Sequence, residues 1–168
     1  MGDAWAHPIL WYARGVRAMK ERPLNDPSSW RFYAAIHGME HARWTDCGFL
    51  DPSDVLPANR DIDVFWNRCQ HGSWYFLPWH RCYALSFERA VRAAIMDLGG
   101  PKDWALPYWN YFEPGQDARP PVFATPDGPD GAGNTPLYMR LRYGPPGVPA
   151  DMKTLSCPVA RELGLRSP

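Results

Sequence analysis

Apolar positions recur at helical spacing in three stretches of the chain. Over residues 7–21, Leu10, Ala13 (or Tyr12), Val16 and Met19 share a face, Pro8 suits the first turn and Pro23 ends the pattern, which predicts a first helix. Asp26-Pro27-Ser28-Ser29 offers a capping signal for a second helix over about 28–43. Its apolar face runs Trp30, Tyr33, Ala34, His37 and His41, so both histidines are expected on the buried side. The most regular stripe is His80, Ala84, Phe87, Val91, Ile95 and Leu98, at steps of three and four. It predicts a third helix over about 79–98, entered through Pro78 and stopped by Gly99-Gly100-Pro101.

The intervening pattern is irregular. Residues 44–64, with Gly48, Pro52, Pro57 and several Asp, read as a long loop, a length that is uncommon without a function. Residues 65–77 read as a mostly aromatic connection containing Cys69-Gln70-His71. Residues 104–109 read as extended chain, and 113–149 as a long loop rich in Pro, Gly and Asp, broken only by Leu137-Tyr138-Met139-Arg140-Leu141. Helix resumes weakly near 157–164. There are no internal repeats, and the tail does not read as a second domain. The predicted class is mainly α, a helical bundle with long irregular loops.

Composition narrows the functional classes. A chain of 168 residues is a one-domain length with room for a core. Nine Trp, eight Tyr and seven Phe make a heavy aromatic load that suits a core or a pocket for flat molecules. Lys plus Arg balances Asp plus Glu at 18 each, which gives no reason to expect nucleic acid or an anionic membrane as partner. No apolar run approaches the roughly 18 residues of a membrane span. Cys47, Cys69, Cys82 and Cys157 form no CxxC pair, and Met1-Gly2-Asp3-Ala4-Trp5 lacks the basic start and apolar stretch of a secretory signal. The expectation is a cytoplasmic protein with free thiols, export by a partner being left open.

The candidate chemistry lies in the histidines. Four of the five fall between residues 37 and 80. Two helices each aim a histidine inward and a third sits on the loop between them. Imidazoles converging in an aromatic, low-charge setting favour Cu, Zn, Fe or Ni over Mg and Ca. His71 on a loop and His80 at a helix start, with Pro78 fixing the helix entry, would set ligand geometry before metal arrives. His7, beside Pro8, has no expected site role. One competing pattern is present: His37-Gly38-Met39-Glu40-His41 fits the H-x-x-E-H of inverted zinc peptidases, though three fixed positions in five match easily by chance.

The string Phe76-Leu77-Pro78-Trp79-His80-Arg81-Cys82-Tyr83, followed by Phe87-Glu88, resembles the first-copper signature of the tyrosinase family, which includes catechol oxidases and molluscan haemocyanins. The spacing of nine from His71 to His80 resembles that family's second and third ligands. Ser29-Trp30 through Ala35-Ile36-His37-Gly38 resembles the helix bearing the first ligand, and Leu106-Pro107-Tyr108-Trp109-Asn110 a later landmark. The likeness covers roughly residues 9–145.

The resemblance implies a type 3 copper site with His37, His71 and His80 binding one copper of a pair. His41 stays open as an alternative ligand, a donor to a ligand, or a helix-end histidine interacting with the C-terminal dipole. It implies a thioether between Cys69 and His71, with a buried free thiol as the alternative. Arg81 and Glu88 are expected in structural ion pairs. Trp74 and Tyr75 either border an entrance or, the expected use, pack in a core. Cys82 and Cys157 receive no role.

In the family a second copper requires a further H-x-x-x-H helix and another histidine, yet no histidine follows His80. The expectation is therefore an N-terminal half, residues 1–168, completed by a second polypeptide or a missing C-terminal segment. The implied activity is O2-dependent oxidation of phenols, o-diphenols or o-aminophenols, with monophenolase and diphenolase activity not separable. The alternatives are a non-catalytic copper-binding remnant and a haemocyanin-like O2 carrier.

Overall fold

A computed structural model describes residues 6–114, 116, 118–128 and 135–138. The described residues form α-helices and no strand, in keeping with the mainly α class predicted. They divide into two units. One runs from Arg14 to Ala105; the other joins the described residues before 14 to those after 105.

The first helix, α1 (His7–Glu21), matches the predicted span. Val16 and Met19 are fully buried. Gly15 allows α1 to approach the long helix α5 (Phe76–Asp97) closely: a Cβ there would lie 2.9 Å from Ile95 Cγ1 and 3.3 Å from the Val91 carbonyl.

The predicted second helix breaks in two. α2 (Trp30–His37) begins as expected, with the Phe32 amide donating to Ser29 Oγ at 3.1 Å. It stops because Gly38 is extended (φ 175°, ψ 127°), and the Met39 amide turns outward to Asn67 Oδ1. Glu40 then caps a separate helix, α3 (His41–Asp46), its carboxylate accepting from the amides of Ala42 (3.2 Å) and Arg43 (3.1 Å). His41 therefore opens a new helix and does not continue the His37 stripe. The H-x-x-E-H reading fails for the same reason, since it needs both histidines one turn apart on one helix.

The buried stripe of α2 is also not the one predicted. Phe32 and Ala35 are buried, and they join Leu24, Leu50 and Trp66 in a core cluster with Ile36, Met39, Trp44 and Ile62 packed against it. Trp30, Tyr33 and His37 face α5 instead.

The supposed loop over 44–64 contains the end of α3 and a further helix, α4 (Asn59–Phe65). That helix has no side-chain cap and sets Ile62 and Phe65 against the core cluster, the Phe65 ring 6.4 Å from that of Phe32, too short a stretch of periodicity to read from sequence. Its preceding loop is tied down by a bidentate ion pair, Arg31 Nη1 and Nη2 to Asp54 Oδ2 and Oδ1 at 2.5 and 2.7 Å.

α5 starts three residues earlier than predicted, because a turn at Ser73 feeds the helix directly: the Phe76 amide donates to the Ser73 carbonyl at 3.1 Å. Pro78 sits in its first turn. Gly99, at φ 78°, ends the helix, its amide donating to Met96 O while that of Gly100 donates to Ile95 O. Val91, Ala94 and Ile95 are buried, but Ala84 and Leu98 of the predicted stripe are exposed. Glu88 pairs with Arg92, as expected of a structural residue; Arg81 makes no ion pair with the described residues.

α2 and α5 run antiparallel. Trp30 and Tyr33 pack edge-on to Phe87 (5.6 and 5.8 Å between centroids), while further along α2 His37 meets Trp79, His80 and Tyr83. The Tyr83 hydroxyl donates to the Tyr33 carbonyl at 2.8 Å, and burial pushes its pKa up to about 12.

In the second unit, residues 106–110 form neither helix nor strand, and a short helix, α6 (Pro121–Ala124), lies within the predicted loop. Tyr12 packs edge-on to Phe123 at 6.5 Å, and Val122 and Leu137 are buried. The helix expected near 157–164, Cys157, and the rest of the 113–149 loop from 139 onward lie outside the described residues.

The α1–α5 crossing yields a prediction. Overpacking costs about 1–3 kcal/mol, against about 1 kcal/mol gained in helix propensity. Gly15→Ala is expected to destabilise the chain by about 1 kcal/mol, read as a lower urea midpoint at constant slope.

Candidate metal centre

Three elements each bring a histidine to one place. His37 is the last residue of α2, His71 follows the core-anchored Trp66 by five residues on the connecting segment, and His80 lies one turn into α5. Their ring centroids are 5.7 Å (His37 to His71), 5.7 Å (His37 to His80) and 5.5 Å (His71 to His80) apart. One donor atom from each, with Cys69 Sγ, falls within 4.8 Å of the others. The predicted trio is brought together; His41 and His7 are not part of it. His41 is exposed at the head of α3, and His7 accepts from the Trp11 indole at 3.0 Å in the other unit.

His80 is oriented for metal binding by its own helix. Its Nδ1 bonds the Phe76 carbonyl at 2.7 Å, so that nitrogen carries the proton and Nε2 presents a lone pair to the cluster. The Phe76 ring lies 4.3 Å from the same imidazole, and Trp79, stacked on Tyr83 at 5.1 Å and 11°, closes in beside His37. These rings restrict the rotamers of two ligands. Sequence reasoning missed the Phe76 carbonyl, although a histidine four residues after it within a helix is the signal for such a bond.

The electrostatics favour a neutral His37 imidazole. Burial first, then the neighbouring His71 and His80, hold the His37 pKa below its usual value. The cluster contains no carboxylate. Nitrogen donors with one sulfur nearby suit a borderline or soft transition metal and not Mg2+ or Ca2+.

Cys69 Sγ lies 3.5 Å from both ring nitrogens of His71 and 3.3 Å from His80 Nε2. A sulfur equidistant from the two nitrogens lies on the plane that bisects the ring through the carbon between them. Burial pushes the Cys69 thiol up. Cys47, Cys69 and Cys82 are free thiols.

The expected burial of the site is corrected: His37 and His71 are exposed, and Cys69 and His80 are only partly buried. Trp74 and Tyr75, expected in a core, are 97% and 70% exposed on the turn between the second and third histidines, and Leu77 is 74% exposed. The apolar patterning that suggested burial is real, but the surface that would bury it is not supplied by the described residues.

The chain matches the model of the common central domain of tyrosinase over residues 27–142. It is 45% identical over 134 residues to tyrosinase HcTyr1 of Hahella sp. (strain CCB-MM4), covering 73% of this chain and 29% of that protein. It is 33% identical over 127 residues to the chloroplastic (+)-larreatricin hydroxylase of Larrea tridentata (76% and 18% covered). With the chloroplastic polyphenol oxidase of Malus domestica it shares 29% over 131 residues (78% and 18% covered). The chain thus spans less than a third of the length of these relatives.

If these three histidines form the centre, His37→Ala and His80→Ala each abolish stoichiometric binding of Cu2+ in calorimetric titration, whereas His41→Ala leaves it unchanged. Loss of binding in His41→Ala alone would overturn the assignment.

Proposed function

The chain belongs to the tyrosinase family, and from that premise we propose that it is the first-copper half of a dinuclear oxidase acting on phenols or o-diphenols. The observation that carries the proposal is the convergence of His37, His71 and His80 with donor atoms inside 4.8 Å of one another. The donor set fits copper: three imidazoles, one of them with its Nδ1 proton committed to the Phe76 carbonyl and another, His37, with its pKa held down, and no carboxylate in the cluster.

Bound copper supplies the redox chemistry, taking electrons from a phenolic substrate and delivering them to O2. The protein's own part is positional. His80 holds its Nε2 toward the cluster through the Phe76 bond, and the Trp79–Tyr83 stack limits the swing of His37. The exposed side of the centre leaves a flat aromatic molecule free to approach.

A second set of three histidines has to come from outside these 168 residues, either on another polypeptide or on a further segment. Supporting this are the absence of any histidine after His80, the exposure of Trp74, Tyr75 and Leu77 beside the ligands, and the small fraction of the relatives' length that is spanned. We further propose that Cys69 becomes joined to His71 through sulfur and the ring carbon between the nitrogens, supported by its equal distances to them. The S–H and ring C–H lose two electrons and two protons to O2, giving hydrogen peroxide and a C–S bond.

Reconstituted with copper and freed of excess metal, the chain is expected to hold one copper by elemental analysis. It should oxidise an o-diphenol only when joined to a polypeptide bearing the second histidine set. Two coppers on the chain alone, or none, would overturn the reading. The thioether is checked by mass spectrometry: the Cys69–His71 peptide is expected to be lighter by two hydrogen atoms and to resist alkylation.

A further inference from the structure

Helix ends leave backbone carbonyls without partners inside the helix. At the end of α2, which carries His37, two of them are taken by one short segment of chain. Ala35 O accepts from the Asn67 amide at 3.0 Å and Ile36 O from the Arg68 amide at 3.1 Å. On the far side of His37 the Met39 amide donates to Oδ1 of Asn67 at 2.5 Å. Asn67 therefore brackets His37, bonded to the chain both before and after it. It also stands two residues before Cys69 and four before His71. The preceding residue, Trp66, is buried and packs edge-on to Phe32 at 6.0 Å, so the bracket is fixed to the core.

Asn67 adopts φ 56°, the one positive φ outside glycine among the described residues. Side chains rarely take this conformation, and asparagine is among the few that tolerate it. A turn that needed only that conformation would be served better by glycine. The side-chain oxygen that accepts from the Met39 amide is what glycine lacks.

We propose that Asn67 is a positioning residue of the metal centre, its side-chain carbonyl fixing the His37 imidazole relative to the Cys69–His71 segment. The inference rests on the reading of the centre as a copper site. Asn67 acts through the backbone on either side of His37.

The test uses the full chain, with Cu(I) affinity measured by competition against a chromogenic chelator and thermal unfolding followed in parallel. Asn67→Gly relieves the backbone and removes the acceptor; Asn67→Asp keeps an acceptor oxygen in the same place. Asn67→Gly is expected to keep its melting temperature while binding copper about 10- to 100-fold more weakly. Asn67→Asp is expected to return affinity to the wild-type range. Asn67→Ala and Asn67→Asp form a second pair, both with a Cβ on the same left-handed backbone, so their difference reads the acceptor if the glycine variant does not fold. Wild-type affinity in Asn67→Gly, or equal affinities in the alanine and aspartate variants, would overturn the proposal. A wild-type chain with no affinity for copper would remove the copper reading itself, and this inference with it.

Discussion

The register between α2 and α5 is the constraint on which the metal centre depends. Two antiparallel helices carry His37 and His80, and an aromatic seam sets how far one can slide past the other: Trp30 and Tyr33 against Phe87, then the Tyr83 hydroxyl on the Tyr33 carbonyl. Aromatic pairs of this kind contribute roughly 0.5–1.5 kcal/mol each beyond the area they bury. Their larger effect is geometric. A slip of one turn, about 5.4 Å, would exceed the 4.8 Å within which the four donor atoms lie. The third helix face, Val91 to Ile95, is gripped by α1 through the gap at Gly15, so the far end of α5 is held independently of the site.

Local devices then refine what the register places. The Phe76 carbonyl commits one nitrogen of His80, and partial burial, followed by the neighbouring His71 and His80, holds the His37 pKa down and so disfavours a second proton on its ring. Both effects act on this chain's own groups and leave lone pairs facing inward. The connection from Trp66 to His71 is where core packing and site geometry meet, because one end is buried and the other carries donors.

The helices with strong periodicity and clear punctuation were legible in the sequence: α1 to its ends, α5 nearly so, and the start of α2 at Ser29. The three clustered histidines were legible through the resemblance, with His71 at fixed spacing before the proline-led helix of His80 and His37 on the second helix. What misled was a hydrophobic stripe read one residue off. Phe32 and Ala35 face the core, whereas Tyr33 and His37 face a second helix, and a sequence pattern does not distinguish these two apolar surroundings. The break at Gly38 was hidden because the group that receives the Met39 amide lies 28 residues beyond Met39, in the side chain of Asn67. α4 was hidden by its shortness and its charge, with Ile62 and Phe65 its residues packed on the core cluster. Trp74 and Tyr75 were assigned to a core on composition alone, yet they stand in solvent.

Exposure of that turn bears on the order in which such a protein is put together. With two of its three imidazoles exposed, the candidate centre is open to an ion arriving from solution. Whatever surface later settles over Trp74, Tyr75 and Leu77 would turn that free exchange into retention, because the ion's exit would then wait on the cover's departure. For the copper site proposed here, loading before covering would be the kinetically open sequence, and a cover seated on the aromatic turn would set how long the metal stays.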